Sequence, residues 1–258
     1  MEYFSINANN VNTVKSIYVN DDNKNKLTKL SALCFSKFLE ELDLSDCSNL
    51  KGVLSISKCK NLKKLKITKA YFKDISNIYK CTKLEELYLD LQFINYINLE
   101  SINIFSNMQY LELHNIYINI NNFISFDNGN FIFNDKYLDF PNLHTLILNQ
   151  ISFNINDMIC YYYLDNERIF EYIFEILSHC NNLKILKINF TFSGNKKVNF
   201  DNLKYINKLP LLEELELTDC KIKTISNLSK LKNLKKITIS RDSVQKEYNL
   251  NNIEVNII

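Results

Sequence analysis

Apolar residues recur along this sequence at one fixed internal spacing, at offsets 0, +3 and +5 of a repeating unit. Such a repeat constrains the fold strongly, because one short unit cannot bury its apolar face alone and must stack against its neighbours. The ten triplets are Val14-Ile17-Val19, Leu39-Leu42-Leu44, Leu62-Leu65-Ile67, Leu84-Leu87-Leu89, Met108-Leu111-Leu113, Leu143-Leu146-Leu148, Leu183-Leu186-Ile188, Leu212-Leu215-Leu217, Leu234-Ile237-Ile239 and Leu250-Ile253-Val255. The first and last triplets are the weakest matches, and we predict that they cap the two ends of the stack.

Two units keep the pattern for a full period of 22 residues. Between Leu62 and Leu84 the expected slots hold Ala70, Phe72, Ile75, Ile78 and Cys81, and between Leu212 and Leu234 they hold Cys220, Ile222, Ile225, Leu228 and Leu231. In this pattern the sequence resembles the leucine-rich-repeat family, in particular its 22-residue subclass, over residues 14–257. The segment from Leu39 to Cys47, Leu-Glu-Glu-Leu-Asp-Leu-Ser-Asp-Cys, is similar to the cysteine-containing variant of the repeat.

Offsets +2 to +6 of each unit predict a short strand whose +3 and +5 side chains point inward. Stacked units then form one parallel sheet in chain order, and the rest of each unit returns along the opposite side. The resemblance implies an α/β solenoid, a right-handed horseshoe with the parallel sheet on its concave face. The eight central strands are predicted to centre on Leu42, Leu65, Leu87, Leu111, Leu146, Leu186, Leu215 and Ile237.

The domain organisation follows from the absence of any linker-like sequence. No Gly/Ser/Pro-rich stretch and no long run of charge interrupts the chain, so we expect a single domain over residues 1–258. Within it, residues 1–38 are predicted to hold an N-terminal cap and the first weak repeat, and residues 250–258 a C-terminal cap strand.

The middle of the chain carries extra residues, because two successive triplet spacings widen to 35 and 40 residues. We therefore predict insertions near residues 119–140 and 154–180. In the first, Asn128-Gly129 lies between two β-prone runs, which predicts a tight hairpin. In the second, residues 166–178 show a helical stripe of apolar residues behind a possible asparagine N-cap.

Charge and hydropathy exclude several classes of partner. Acidic and basic residues are interleaved and nearly balanced, 29 against 31, with a formal charge of +2. The chain has no broad positive field to attract a phosphate backbone, so nucleic acid is not an expected partner. The first ten residues lack the basic and apolar regions of a secretory signal, and no apolar run reaches the roughly 18 residues of a membrane span. We expect an intracellular protein, cytoplasmic and monomeric, that does not bind membranes.

The cysteines fit the repeat better than they fit a metal or disulfide site. Cys59, Cys81 and Cys180 lie three residues before an offset-0 leucine, a slot that large apolar residues fill in other units. Cys47 and Cys220 both lie at offset +8, and the sequence contains no Cys-x-x-Cys. We predict buried, reduced thiols and no zinc site.

Catalysis has few candidate residues. His114 and His144 lie at offsets +6 and +1, about 16 Å apart along the strand direction at about 3.3 Å per residue, too far to share a metal ion or a proton. The chain has no Gly-x-Ser-x-Gly sequence, and with three glycines it has no phosphate-binding loop. We expect no catalytic residue, no metal and no cofactor, and an enzyme with an unrecognised site remains an alternative.

The open-face offsets +2, +4 and +6 suggest where a partner would bind. Acidic and basic residues alternate from strand to strand near both ends of the predicted sheet, which predicts lateral charge pairing that serves solubility and strand order. Between these charge ladders lies a stretch with fewer charges, and its candidate partner-binding residues are Tyr88, Tyr110, Glu112, His114, Thr145, Ile147 and Ile185. Interfaces concentrate their energy in a few aromatic or apolar anchors ringed by polar residues. Single exposed apolar residues on a sheet need no function, and the Asn128-Gly129 hairpin is a competing surface.

A protein–protein interaction module is the function that these patterns favour, because the predicted sheet is wide and carries no constellation of catalytic residues. The resemblance implies only this general class, since the subclass includes regulatory subunits of phosphatases and substrate-reading arms of ubiquitin ligases. The alternative is an adaptor or regulatory subunit that recruits such a machine through its insertions.

Overall fold

The computed structural model describes residues 14–19, 21–28, 30, 37–70, 75–91, 97–115, 117–119, 124–127, 130–133, 137–154, 173–190, 198–200, 203, 205–241, 250 and 252–258. Within them the strands β1 to β16 are, in chain order, Ser16–Tyr18, Glu41–Leu44, Lys64–Ala70, Glu86–Leu91, Ile97–Asn98, Tyr110–His114, Tyr117–Asn119, Ile124–Asp127, Asn130–Phe133, Thr145–Asn154, Ile185–Phe190, Val198–Phe200, Glu214–Thr218, Cys220–Ile222, Lys236–Ile239 and Glu254–Ile257.

One open parallel sheet contains twelve of these strands, and ten of them follow one another in the order β1-β2-β3-β4-β6-β10-β11-β13-β15-β16. The other two, β5 and β7, pair with each other, and β7 also pairs with the end of β10. Neighbours in the sheet are successive repeats, so the sheet follows chain order as predicted. The central residues of the eight predicted strands lie level with one another across it: Leu42, Leu65, Leu87, Leu111, Leu146, Leu186, Leu215 and Ile237.

Side chains at offsets +3 and +5 of the repeats point into the core, as the alternation predicts. Leu42, Leu65 and Leu87 are each 2 % exposed, and Leu44 and Ile67 are fully buried. The next strand along the chain covers each inward pair, and apolar burial of this kind is the main favourable term in folding. The core therefore runs as one continuous column along the stack.

Short helical turns return the chain along the side opposite the sheet. They are the helices α1 (Asp21–Lys24) and α2 (Leu99–Ile102) and the 3₁₀ helices Leu54–Lys58, Ile78–Lys80, Leu177–His179, Ile206–Lys208 and Ser226–Lys230. The apolar slots of the two full-period units are buried wherever they fall within the described residues, and Phe72 lies outside them. None of the helices in the described ranges has the length and apolar character that crossing a membrane requires.

A left-handed residue at offset +7 follows or interrupts several strands. These residues are Asp46, Lys69, Asn115, Gln150 and Asp219, with φ of 61°, 54°, 55°, 51° and 56°. Asn and Asp tolerate this region better than other residues with a side chain. The backbone N–H groups of Asp46 and Asp219 each donate to a hydroxyl of the following repeat, Thr68 and Ser240, at 2.8 Å. The turn of one repeat is thus fixed by the next.

Asparagines directly before offset 0 join successive repeats where the strands begin. Each side-chain amide donates to a backbone carbonyl of the preceding repeat: Asn61 to Lys37 at 2.7 Å, Asn142 to Ser106 at 3.2 Å, Asn182 to Pro141 at 2.6 Å and Asn233 to Pro210 at 2.9 Å. These bonds satisfy carbonyls that lie outside the strand ladder.

The strands of the predicted hairpin are confirmed. β8 and β9 pair antiparallel with Asp127 level with Asn130, and the turn residues Asn128 and Gly129 themselves lie outside the described residues. Of the helix predicted over 166–178, the structure describes the end, where residues 173–176 are helical and run into the 3₁₀ helix Leu177–His179.

The last strand corrects one prediction. Val255 lies level with Ile237 and Ile257 with Ile239, so Val255 and Ile257 take offsets +3 and +5, and the assignment of those offsets to Ile253 and Val255 was wrong by two residues. Val255 and Ile257 are 38 % and 57 % exposed, because no described repeat follows to cover them. Within the described residues, the inward side of β16 is therefore an exposed apolar surface.

Candidate partner-binding surface

Three rows of side chains cross the concave face of the sheet, one at each open-face offset. The offset +2 row reads Ser16, Glu41, Lys64, Glu86, Tyr110, Thr145, Ile185, Glu214, Lys236 and Glu254. The offset +4 row reads Tyr18, Asp43, Lys66, Tyr88, Glu112, Ile147, Lys187, Glu216, Thr238 and Asn256. The offset +6 row includes Thr68, Asp90, His114 and Asn149.

The structure brings the seven candidate residues together in one patch on β4, β6, β10 and β11. Tyr110 is level with Thr145, which is level with Ile185, and Glu112 lies between Tyr88 and Ile147 in the next row. Level residues on neighbouring strands are about 4.8 Å apart. All seven side chains, His114 included, are partly buried. We name this set the central patch.

A hydrogen-bond network fixes the polar part of the central patch. The Tyr110 hydroxyl donates to Glu112 Oε2, and His114 Nε2 lies 2.6 Å from Glu112 Oε1. On the other side of the imidazole ring, Asn149 Nδ2 lies 3.2 Å from His114 Nδ1. The Asn149 amide therefore donates to Nδ1 while Nε2–H donates to the carboxylate. Four side chains from two strands hold one another in place.

Ring stacking extends this network across the sheet. The Tyr88 and His114 rings stack with 5.1 Å between centroids and 25° between planes. Lys66 Nζ lies 5.2 Å from the centroid of the Tyr88 ring, which is cation–π distance. These contacts fix the positions of the Tyr88 and His114 rings relative to each other.

The pKa values of the patch fix its charge near neutral pH. Burial alone raises the pKa of Glu112, but the hydrogen bonds from His114 and Tyr110 outweigh it, and the net pKa is lowered. Burial first, and then the hydrogen bond to Glu112, raises the pKa of Tyr110. Burial also raises the pKa of Tyr88. The patch thus presents one carboxylate between two neutral phenols.

Charge ladders flank the central patch and pair laterally, as predicted. Lys64 Nζ lies 2.8 Å from Glu86 on the N-terminal side. On the C-terminal side, Lys187 Nζ lies 2.9 Å from Glu214 and 3.7 Å from Glu216. Exposed pairs of this kind contribute about 0–1 kcal/mol each to stability, so their main effect is on charge and solubility.

Sequence reasoning missed a second ladder at offset +1. Glu40 lies between Lys15 at 3.1 Å and Lys63 at 3.0 Å, and Glu213 lies between Lys184 at 3.7 Å and Lys235. The signal was present, because offset +1 alternates between acidic and basic residues in these repeats. This row lies beside the concave face and is not part of the central patch.

A depression of about 380 Å³ lies on the concave face between β1 and β6. This volume falls within the range of about 300–1,000 Å³ that is typical of ligand clefts. Its polar and aromatic walls are formed by Tyr18, Glu41, Asp43, Lys64, Lys66, Glu86, Tyr88, Tyr110 and Glu112. Three residues of the central patch therefore form one end of it.

The contacts of His114 argue against a catalytic role. A general base needs a ring nitrogen within reach of a substrate proton, and Glu112 and Asn149 occupy both nitrogens of His114. Among the described residues, no group of three or more His, Cys, Asp and Glu side chains is arranged to hold a metal ion. The arrangement instead orders the side chains of this surface.

Solved structures share this arrangement of repeats. Internalin C2 from Listeria monocytogenes matches with a TM-score of 0.53 and 18 % identity, over 98 % of this chain and 84 % of its own. The leucine-rich-repeat ectodomain of the receptor kinase GASSHO1/SCHENGEN3 from Arabidopsis thaliana, solved in complex with CASPARIAN STRIP INTEGRITY FACTOR 2, matches with a TM-score of 0.59 and 14 % identity. The chain has the leucine-rich-repeat fold. The 22-residue subclass and the cysteine-containing repeat type stay predictions.

Further comparisons define how far the likeness extends. A leucine-rich-repeat protein of Leptospira interrogans matches with a TM-score of 0.52 and 18 % identity over 92 % of this chain. The chain spans 28 % of the Arabidopsis ectodomain and 57 % of the Leptospira protein. No protein-family profile matches the sequence, and no curated protein is detectably similar to it. At these identities the leucine-rich-repeat likeness shows the fold alone.

Proposed function

We propose that this leucine-rich-repeat protein binds a partner protein on its concave sheet face, with the central patch as the main contact. The observation that carries the proposal is the network of Tyr110, Glu112, His114 and Asn149 with the Tyr88 ring stacked on it. Tyrosines concentrate binding energy at interfaces because they bring a large apolar area and a hydroxyl with few torsions to order. The charge ladders on either side supply the polar rim.

The central patch also includes an apolar part beside this network. Thr145, Ile147 and Ile185 continue the offset +2 and +4 rows on β10 and β11. A partner that covers the whole patch would bury apolar surface at the centre and meet ion pairs only at its edge. The Arabidopsis ectodomain, which shares this fold, was solved in complex with CASPARIAN STRIP INTEGRITY FACTOR 2.

The test begins with a partner identified by proximity labelling of the full chain in its native cell. Replacing Tyr88 and Tyr110 together by alanine is expected to weaken the affinity for that partner at least tenfold, about 1.4 kcal/mol. Calorimetry on the purified pair measures the affinity, and circular dichroism checks that the variant remains folded. The matched control is Lys236→Ala with Glu216→Ala, which truncates the same two rows outside the patch and should leave the affinity within about twofold.

A second candidate function is an adaptor that recruits a partner through its insertion. The observation in its favour is the β8–β9 hairpin, which pairs with no other strand among the described residues and so stands apart from the main sheet. Deleting residues 123–133 separates the two functions. If the deletion abolishes binding while the tyrosine pair proves neutral, the hairpin is the partner site and the concave-face proposal is lost.

A further inference from the structure

Two acidic pairs occupy equivalent positions on the concave face but have different partners. Glu41 and Asp43 take offsets +2 and +4 on β2, and Glu214 and Glu216 take the same offsets on β13. The Lys187 ammonium group lies 2.9 Å from Glu214 and 3.7 Å from Glu216. The Lys236 ammonium group lies 3.7 Å from Glu214 on its other side, so two lysines compensate the two charges of the β13 pair.

The β2 pair contacts uncharged donors. Glu41 Oε2 accepts hydrogen bonds from the hydroxyls of Ser16 at 3.2 Å and Tyr18 at 2.7 Å. Asp43 Oδ1 accepts from the backbone N–H of Ser45 at 2.8 Å and from its hydroxyl. Neither carboxylate forms an ion pair with any residue that the structure describes. The Tyr18 hydrogen bond, followed by that of Ser16, lowers the pKa of Glu41, so this carboxylate stays charged at neutral pH.

These two carboxylates border the depression, and its walls are acidic overall. Four carboxylates line it, from Glu41, Asp43, Glu86 and Glu112, against the two ammonium groups of Lys64 and Lys66, a difference of two negative charges. Lys64 is already paired with Glu86 at 2.8 Å, and Lys66 lies over the Tyr88 ring. Of the three carboxylates without a lysine ion pair, Glu41 and Asp43 therefore lie together at the β2 end, and Glu112 lies at the β6 end, hydrogen-bonded to Tyr110 and His114.

The Tyr18 ring completes that end of the depression. Its side chain is 60 % exposed although its hydroxyl is held by Glu41, so the ring is fixed while much of its surface remains open. A guanidinium or ammonium group stacks on such a ring and at the same time donates to neighbouring carboxylates. Arginine suits this combination best, because its planar fork can serve two acceptors at once.

We propose that this depression binds a basic segment of the partner protein, with an arginine or lysine side chain between Glu41 and Asp43 and against the Tyr18 ring. This inference rests on the function proposed above and adds the chemistry of the partner. It also extends the contact from the central patch to β1 and β2, and the sequence analysis predicted that the acidic pair of β2 belongs to a solvated charge ladder.

The test uses two defined peptides and the full chain. The probe is acetyl-Gly-Arg-Gly-Arg-Gly-amide, and its control replaces both arginines by citrulline, which keeps the shape and removes the charge. Amide chemical shifts of the ¹⁵N-labelled protein are followed at low ionic strength, where charge interactions are least screened. Saturable shifts at Tyr18, Glu41 and Asp43 are expected with the arginine peptide, and an apparent affinity at least tenfold weaker with the citrulline peptide.

Matched double variants separate a local site from overall charge. Glu41→Gln with Asp43→Asn removes two charges at offsets +2 and +4 of β2 and should weaken binding of the arginine peptide at least tenfold. Glu214→Gln with Glu216→Gln removes two charges at the same offsets of β13 and should change the affinity less than twofold. Equal losses in both double variants, equal binding of both peptides, or no saturable shift would each overturn the proposal. The citrulline comparison needs no substitution, so it decides the matter even if the β2 variant does not fold.

The same variants tell this inference apart from the proposed function. With the cellular partner, loss of binding in both the β2 double variant and the Tyr88/Tyr110 variant supports both proposals. If the tyrosine variant loses binding and the β2 variant does not, the concave-face function stands and the basic-segment inference fails. If neither variant loses binding, both proposals fail.

Discussion

Leu65 lies level with Leu87 on the neighbouring strand, and each of these side chains is only 2 % exposed. Replacing Leu65 by aspartate would place an unpaired carboxylate in this column of apolar side chains. We expect the free energy of unfolding to fall by about 3–5 kcal/mol, because a buried charge without a partner is costly. Urea denaturation followed by circular dichroism measures the change.

The control for this prediction is Ile185→Asp, which makes a similar exchange at an open-face position of β11. Its expected cost is below about 1 kcal/mol, since the new carboxylate stays in contact with water. A Leu65→Asp protein that unfolds at the wild-type urea concentration would show that the inward assignment is wrong.

The buried thiols should be inert in the folded protein. Burial raises the pKa of Cys81 and of Cys180 to about 12 and that of Cys47 to about 11, and only the thiolate reacts with alkylating agents. At pH 8 we expect iodoacetamide to leave these three cysteines unmodified in the native protein and to modify all of them in denaturant, as measured by peptide mass spectrometry. Rapid native alkylation of Cys81 would contradict its burial.

Strong reductant should leave the thermal stability unchanged. The five cysteines that the structure describes, Cys47, Cys59, Cys81, Cys180 and Cys220, are free thiols, and Cys34 and Cys160 lie outside the described residues. We predict that all seven are reduced and expect the same Tm with and without tris(carboxyethyl)phosphine. Removing a structural disulfide costs about 2–5 kcal/mol in small secreted domains. A reductant-dependent fall in Tm would therefore reveal a bridge.

The left-handed residue Asp46 should give the fold part of its acid sensitivity. The Lys69 ammonium group, which lies 2.8 Å from the carboxylate, lowers the pKa of Asp46, and Lys24 adds to this effect. Because the folded-state pKa is below the unfolded value of about 3.9, the contribution to stability is present above about pH 4 and is lost as the pH falls through the folded-state pKa. Asp46→Asn should lower Tm at pH 7, and this difference should shrink towards pH 2.

Asp219→Asn is the matched control for the acid series. Asp219 has the same left-handed backbone at offset +7, but its carboxylate accepts a hydrogen bond from the Asn189 amide at 3.0 Å and has no ion pair among the described residues. Asparagine tolerates the left-handed conformation at both positions. A Tm difference for Asp46→Asn that is the same at pH 7 and pH 2.5 would exclude the ion pair as its cause.

At Gln150 the conformational preference of the residue should affect the stability of the protein with little interference from packing. It is exposed and has φ of 51°, a conformation that costs a residue with a side chain about 1–2 kcal/mol and costs glycine little. We expect Gln150→Gly to be at least as stable as the wild type and Gln150→Ile to be less stable by about 1–2 kcal/mol, measured by urea denaturation. At Lys221, an exposed residue of the strand Cys220–Ile222, the order should reverse, with isoleucine more stable than glycine.

The inward-facing residues of the strands could be predicted because a single apolar periodicity determines them. Leu42, Leu65 and their equivalents alternate with polar residues, and a strand with one buried face admits only one register. That rule weakens at the C-terminal end. Asn252, Val255 and Ile257 have the correct spacing, but the first of them is polar. The apolar pattern therefore favours the triplet that begins at Leu250. The structure selects the other register through pairing with β15.

The candidate surface was predictable in its membership but not in its contacts. The spacing of Tyr110, Glu112 and His114 places all three on the same face of a strand. It does not determine that Glu112 bends to accept from both neighbours, or that the Tyr88 ring rests on His114. Those contacts depend on side-chain torsions and on the register between neighbouring strands. Packing in three dimensions determines both.

The exposure of inward side chains in β16 has a consequence for how the solenoid unfolds locally. Val255 and Ile257 face inward with no described repeat over them, and β15 pairs only with its two neighbours, β13 and β16, among the described strands. Release of β16 exposes Ile237 and Ile239 of β15 in the same way, and the next opening meets the same kind of edge. An opening that begins at β16 is therefore expected to spread inward one repeat at a time. Protection of backbone amides against hydrogen exchange is expected to increase from repeat to repeat with distance from β16. Depth below the surface is expected to have a smaller effect.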